Sequence, residues 1–68
     1  MNEIIFIIEE SKEGGFEARA LGFSIFTEAE DMASLKKEIK DAIYCHFEKD
    51  NMPKLIRLHM VKDEELAV

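Results

Sequence analysis

The sequence has few of the residues that would stabilise a small domain covalently or anchor it in a membrane. Among its 68 residues, Cys45 is the one cysteine, so no disulfide can form within the chain. A lone thiol suits a reducing compartment. No apolar run approaches the ~18 residues of a transmembrane helix, and no basic region precedes the first apolar run as a secretory signal would require. We therefore expect a soluble, cytoplasmic protein that does not bind membranes.

Basic residues are also scarce, since 9 lysines and arginines face 15 aspartates and glutamates, giving a net charge of −6. Direct binding to nucleic acid requires a basic surface that can neutralise phosphates, so we do not expect a nucleic-acid partner. An acidic surface would suit a basic protein partner. The alternative is that the charge only keeps a small domain in solution.

The sequence also contains no recognisable pattern of catalytic, metal-binding or phosphate-binding residues. His46 and His59 have no neighbouring residues at metal-ligand spacing, and the carboxylates are scattered along the chain. Gly14-Gly15 lies between two predicted strands, so it cannot form the phosphate cradle found at the start of a helix. We predict no catalytic residue, no metal site and no cofactor.

The run Ile4-Ile5-Phe6-Ile7-Ile8 is the strongest positive signal in the chain. It is too short for a membrane span or an ordinary helix, and Glu3 and Glu9-Glu10 bound it on either side. Such a run is typical of a strand that is buried on both faces. We predict that it occupies a central position in a sheet.

The rest of the pattern predicts two short strands, one amphipathic helix and a last strand. Asp31 precedes the helix as its N-cap, and Pro53 prevents the helix from continuing. A helical stripe is formed by Met32, Leu35, Ile39, Ala42, Ile43 and His46. The fold class is therefore α+β, a single domain over residues 1–68 with the order βββαβ. A right-handed crossover would place the last strand beside the first and give the strand order 3-2-1-4. The predicted ranges after the first strand (about 3–9) are 16–20, 24–28, 32–48 and 54–62.

One helix can cover only one face of this sheet. If Ile4, Phe6 and Ile8 face the helix, Ile5 and Ile7 are left on the other face; the reverse assignment is equally open. Either Ile25 or Phe26 also points outward, and on the last strand Arg57 and His59 oppose the apolar positions. We expect this face to form a homo-oligomer interface that contains Ile5, Ile7, Phe26, Arg57 and His59. The alternative is that a few exposed apolar residues are harmless.

Several features together resemble the HicB-like family, the antitoxin side of the HicA–HicB toxin–antitoxin modules. They are Gly15-Phe16, the stretch from Ala18 to Gly22, Ile25-Phe26-Thr27, and the helix carrying Leu35, Ile39 and Ala42. The resemblance implies a truncated RNase H-like fold. It also implies a non-catalytic module that binds and inhibits a small basic ribonuclease toxin.

The resemblance covers nearly the whole chain but not every feature of the family. Only residues 63–68 follow the last strand, where full antitoxins have a DNA-binding domain, so autorepression is not expected. Glu28-Ala29-Glu30-Asp31 replaces the family's glycine-containing turn. Glu28, Glu30 and Asp31 are the predicted partner-binding residues.

Two other functions stay open at this point. The first is a stand-alone oligomeric scaffold or small-ligand binder with no toxin. The second is an enzyme, which a cleft holding His46 beside a carboxylate would favour. A two-metal nuclease of the RNase H type is disfavoured, because residues 4–8 contain no carboxylate and the last strand contains none before Asp63.

Overall fold

The computed structural model describes residues 2–62 and 65–68 and contains a mixed four-stranded sheet with one helix. The strand order is β3-β2-β1-β4, as the sequence predicts. The elements in chain order are β1 (Glu3–Glu10), β2 (Phe16–Ala20), β3 (Phe26–Ala29), α1 (Met32–His46), a 3-10 turn (Lys49–Asn51) and β4 (Leu55–Val61).

β1 lies at the centre of the sheet because it can be buried on its helix-facing side and shielded by neighbouring strands along both edges. It pairs antiparallel with β2, with Ile8 opposite Ala18, and parallel with β4, with Phe6 opposite Leu58. Ile4, Phe6 and Ile8 are almost wholly buried, which settles which side of β1 faces the helix. The side chains that alternate with them are half-buried or exposed.

α1 covers this buried side with one stripe of its surface. Leu35, Ile39 and Ile43 recur at helical spacing and are buried in one core with the helix-facing side chains of the sheet. The carboxylate of Asp31 accepts a hydrogen bond from the backbone N–H of Ser34 at 2.7 Å. Asp31 is therefore the N-cap of α1, as the sequence predicts.

The helix ends at His46, two residues before the predicted end at Glu48. Phe47 adopts an extended conformation, and its N–H donates to the carbonyl of Ile43. The ring of Phe47 packs edge-to-face on Phe23 with 5.1 Å between ring centroids. The helix therefore ends at this aromatic contact, before Pro53. His46, expected on the apolar stripe, is exposed.

The turn from Ser11 to Gly15 joins β1 to β2 and requires glycine. Gly14 and Gly15 have φ of 96° and 84°, in the left-handed region that side chains disfavour. At Gly15 an added Cβ would also lie 2.6 Å from the carbonyl oxygen of Ala29. The turn is therefore packed directly against the end of β3.

Candidate functional site

The side of the sheet away from α1 is covered by no other element of the described chain, and we call it the open face. Ile5 and Ile7 lie at its centre, half-buried. The strand register places Ile7 between Arg19 on β2 and His59 on β4, and Ile5 beside Arg57. Phe26 lies on the same side, opposite Arg19, and is 60% exposed.

Two ion pairs flank the apolar centre of the open face. Arg57 pairs with Glu3 across β4 and β1, and Arg19 lies 3.6 Å from Glu9 across β2 and β1. Both pairs are largely exposed, so each contributes at most about 1 kcal/mol. All five predicted interface residues therefore share one surface, on which Arg19 of β2 lies between Phe26 and the apolar centre.

A second surface is an acidic cleft of about 520 Å³ where the β1–β2 turn meets the end of β3. Glu13, Glu28 and Glu30 supply its carboxylates, and Gly15 and Phe16 form part of its wall. Two of the predicted partner-binding residues, Glu28 and Glu30, are thus brought together. Glu13 was not predicted, because only the tertiary packing of the turn against β3 brings it there. Such a cleft can accept a cationic side chain.

Asp31, the third predicted partner-binding residue, does not line this cleft. Its carboxylate is held by the first turn of α1. The backbone N–H of Ser34 lowers the pKa of Asp31 below its usual value of 3.8, with a further hydrogen bond to Ser34 acting in the same direction. The Asp31 carboxylate is therefore engaged in capping α1.

Neither histidine lines the acidic cleft. His46 stacks edge-to-face with Phe23 and Phe47, at centroid distances of 5.9 and 4.9 Å. His59 is exposed on the open face. Within residues 2–62 and 65–68, no group of three or more His, Cys, Asp or Glu side chains could hold a metal ion. Nor is any helix in this part of the chain long and apolar enough to cross a membrane.

Comparison with known proteins identifies relatives of closely similar length. A UPF0150 protein of Archaeoglobus fulgidus is 52% identical over 52 residues, which cover 76% of this chain and 77% of the relative. A UPF0150 protein of Thermotoga maritima is 41% identical over 66 residues, covering 97% of this chain and 93% of the relative. The chain belongs to the UPF0150 family. No family model and no solved structure matches it.

The name UPF0150 states no activity, so family membership by itself does not assign a reaction or a partner to this chain. Membership does establish that the chain is similar to its relatives over most of its length, with 66 of its residues aligned to the Thermotoga maritima protein. The open face and the acidic cleft are the two surfaces from which a function can be argued.

Proposed function

We propose that this UPF0150 protein is a non-catalytic, HicB-like protein-binding module that acts in the cytoplasm as a homo-oligomer. The observation that carries the proposal is the open face, an apolar strip on a sheet that has a helix on one side only. The βββαβ order with strands arranged 3-2-1-4 agrees with the truncated RNase H-like fold of that family. No two-metal nuclease site accompanies it in the described residues.

The open face is the proposed self-association surface. Removing Ile5 and Ile7 fully from water on assembly would contribute about 3–5 kcal/mol at usual transfer values, less the part that is already buried. Phe26 adds a largely exposed aromatic ring on the same face, across β2 from Ile7. For a domain of this size such a contribution is a large share of the total stability.

The acidic cleft is the proposed surface for a protein partner. Glu13, Glu28 and Glu30 line this cleft, in a chain whose net charge is −6. A small basic ribonuclease toxin, the partner implied by the HicB-like resemblance, would supply the complementary lysines or arginines. Opposite charge of this kind accelerates association and selects the partner more than it adds affinity.

The self-association proposal is tested by Ile7→Lys, which would place a charge in the middle of the open face, where the proposed interface would bury it. We expect this variant to dissociate or to unfold, because an unpaired buried charge costs several kcal/mol. Phe26→Ser separates the two outcomes, since a residue that is 60% exposed is not needed for folding. Light scattering should show a smaller mass for folded Phe26→Ser. Lys37→Ser, at an exposed position of α1 on the other side of the sheet, is the control.

An unchanged mass for folded Ile7→Lys and for Phe26→Ser would exclude the open face as the interface. A wild-type chain that is monomeric at high concentration would exclude self-association altogether.

The partner proposal is tested with the protein purified at natural abundance and analysed by native mass spectrometry. We expect a small basic protein whose RNA cleavage is blocked by the wild type and is restored when Glu28→Lys and Glu30→Lys are combined. Glu48→Lys with Asp50→Lys changes the net charge equally at a segment outside the cleft and should still inhibit. Equal inhibition by both double variants would contradict the cleft as the binding site.

A stand-alone ligand-binding role is the second candidate, because 520 Å³ lies within the usual range for small-molecule sites. Its walls carry three carboxylates and the cleft is open to solvent, so a cationic ligand would suit it best. A raised Tm with a polyamine, in a protein purified without any bound partner, would favour this role over the antitoxin-like one.

A further inference from the structure

β4 is an edge strand whose outer side is unpaired in the described chain. β1 bonds to it on one side, and β4 ends the sheet. Two of the large exposed apolar residues of the protein lie on this strand, Leu55 at 52% and Met60 at 50% exposure. Leu58 and Ile56 are half-buried against the core. The edge therefore combines free backbone groups with uncovered apolar side chains.

The direction of the backbone groups along β4 follows from its parallel pairing with β1. Leu55 is opposite Glu3, and its N–H donates to the carbonyl of Asn2 at 3.0 Å. In a parallel ladder the residues that bond to the neighbour alternate with residues that face away. The odd-numbered residues of β4 thus bond to β1, and Ile56, Leu58 and Met60 direct their N–H and C=O groups to the outer edge.

This edge lacks the devices that usually protect edge strands from pairing. Residues 55–61 contain no proline and no lysine, and the one arginine, Arg57, is engaged with Glu3 on the open face. The opposite edge strand, β3, is only four residues long and carries Glu28. Gly15 also packs against the carbonyl of its last residue, Ala29. β4 is the better template for an added strand.

We propose that two copies of this chain pair antiparallel along β4, around a two-fold axis at Leu58. Leu58 then lies opposite the partner's Leu58, and Ile56 lies opposite the partner's Met60. Each of the three outward-facing pairs exchanges two backbone hydrogen bonds, about six in all. The same register places Leu55 opposite the partner's Val61 on the open-face side. Every exposed apolar residue of β4 gains an apolar neighbour.

Other registers satisfy fewer of these groups. Centring the axis on Ile56 or Met60 shortens the overlap of the two strands. Centring it on Arg57 or His59 leaves only two outward-facing residues of each β4 strand paired with one another, and it places two identical basic side chains opposite each other at the axis. The Leu58 register is also distinct from the proposed open-face association, because it extends the sheet sideways and leaves Ile5, Ile7 and Phe26 uncovered.

Cysteine cross-linking tests the register directly. In a Cys45→Ser background, which removes the exposed native thiol, we expect Leu58→Cys to oxidise to a covalent dimer. The Cα atoms of such a pair are about 5.5 Å apart, within the range that a disulfide spans. His59→Cys in the same background is the matched control. It lies one residue away and, in this register, faces the partner's Arg57, so it should cross-link poorly.

Preferential cross-linking of His59→Cys, or equal and slow cross-linking of both variants, would overturn the Leu58 register. Efficient cross-linking of Phe26→Cys with none at Leu58→Cys would support association through the open face and would overturn pairing through β4.

A backbone test is independent of cysteine chemistry. Met60→Pro removes an outward-facing N–H that no residue of the described chain accepts, and proline is tolerated at such edge positions. We expect Met60→Pro to remain folded by circular dichroism but to lose the β4 dimer in sedimentation equilibrium, whereas Met60→Val keeps it. A folded Met60→Pro variant that dimerises as tightly as Met60→Val would overturn the proposal.

Discussion

At the scale of single residues, Gly15 connects two features that a sequence pattern treats separately. Its positive φ belongs to the turn between β1 and β2, and its missing side chain leaves room for the carbonyl of Ala29 at the end of β3. The acidic cleft is built around this contact, because it holds the turn residue Glu13 near Glu28 and Glu30. Gly14 shares the left-handed conformation, but a Cβ added there would meet no other atom within 4 Å.

The two glycines provide a matched experiment on the cleft. Gly14→Ala should cost about 1–2 kcal/mol of unfolding free energy from backbone conformation alone. Gly15→Ala should cost about 1–3 kcal/mol more, because the Cβ would overlap the Ala29 oxygen and β3 would have to move. Urea unfolding of both variants measures the difference. Equal losses for the two variants would show that the turn and β3 are not packed as described.

At the scale of elements, the strand pattern was the most informative part of the sequence and the helix end the least. The apolar run of β1, with acids on both sides, correctly predicted a central strand, because a continuous run of apolar residues suits few other positions in a sheet. The end of α1 could not be predicted in the same way. Phe47 leaves the helix to contact Phe23, which lies before β3 in the chain, and no local pattern encodes that contact.

The residues of the candidate site were also predicted only in part. The composition of the open face followed from strand alternation, which is a local property and needs only the choice of which side faces α1. The acidic cleft required knowledge of how the turn packs on β3, so Glu13 was missed. Asp31 was assigned both to the helix cap and to partner binding, and the structure shows only its bond to the helix.

Asp31 gives a prediction that belongs to α1 as an element. Asp31→Ala removes the acceptor for the N–H of Ser34 and should lower Tm by about 5 °C at neutral pH. Because folding lowers the pKa of Asp31, its charge stabilises the fold above the unfolded value near 3.8, and this contribution is lost as pH falls through the folded pKa.

Thermal unfolding from neutral to strongly acidic pH should therefore show a narrowing gap between the wild type and Asp31→Ala, with the wild type approaching Asp31→Asn, because a protonated carboxyl still has an acceptor oxygen. Asp31→Asn, which keeps a side-chain acceptor without the charge, should lie between them at neutral pH. A gap between wild type and Asp31→Ala that stays constant over the whole series would mean that the carboxylate charge does not stabilise the cap.

At the scale of the whole molecule, the chain exposes more surface than a folded monomer of its mass usually does. Its accessible area is 5580 Å², whereas about 4,400 Å² is expected at 7.9 kDa. Part of the excess comes from Leu66 and Val68, which are almost fully exposed beyond β4.

Association makes stability depend on protein concentration. For the wild type we expect Tm to rise by about 4 °C for each tenfold increase in concentration above the dissociation constant. A variant that combines Phe26→Ser with Met60→Pro removes both proposed interfaces, and its Tm should be independent of concentration. A concentration-independent Tm for the wild type would contradict both modes of association.

The parallel pairing of β1 with β4 also has a consequence for synthesis. Phe6 and Leu58 are neighbours in the sheet but are separated by β2, β3 and α1 in the chain. As the polypeptide leaves the ribosome, its most apolar segment therefore emerges before β4, and the edge of β1 that pairs with β4 stays unpaired until β4 has emerged as well. Contacts between such distant residues form slowly. A chaperone would consequently find the most exposed apolar surface on the nascent chain when the hairpin of β1 and β2 has formed and β4 has not yet paired with β1.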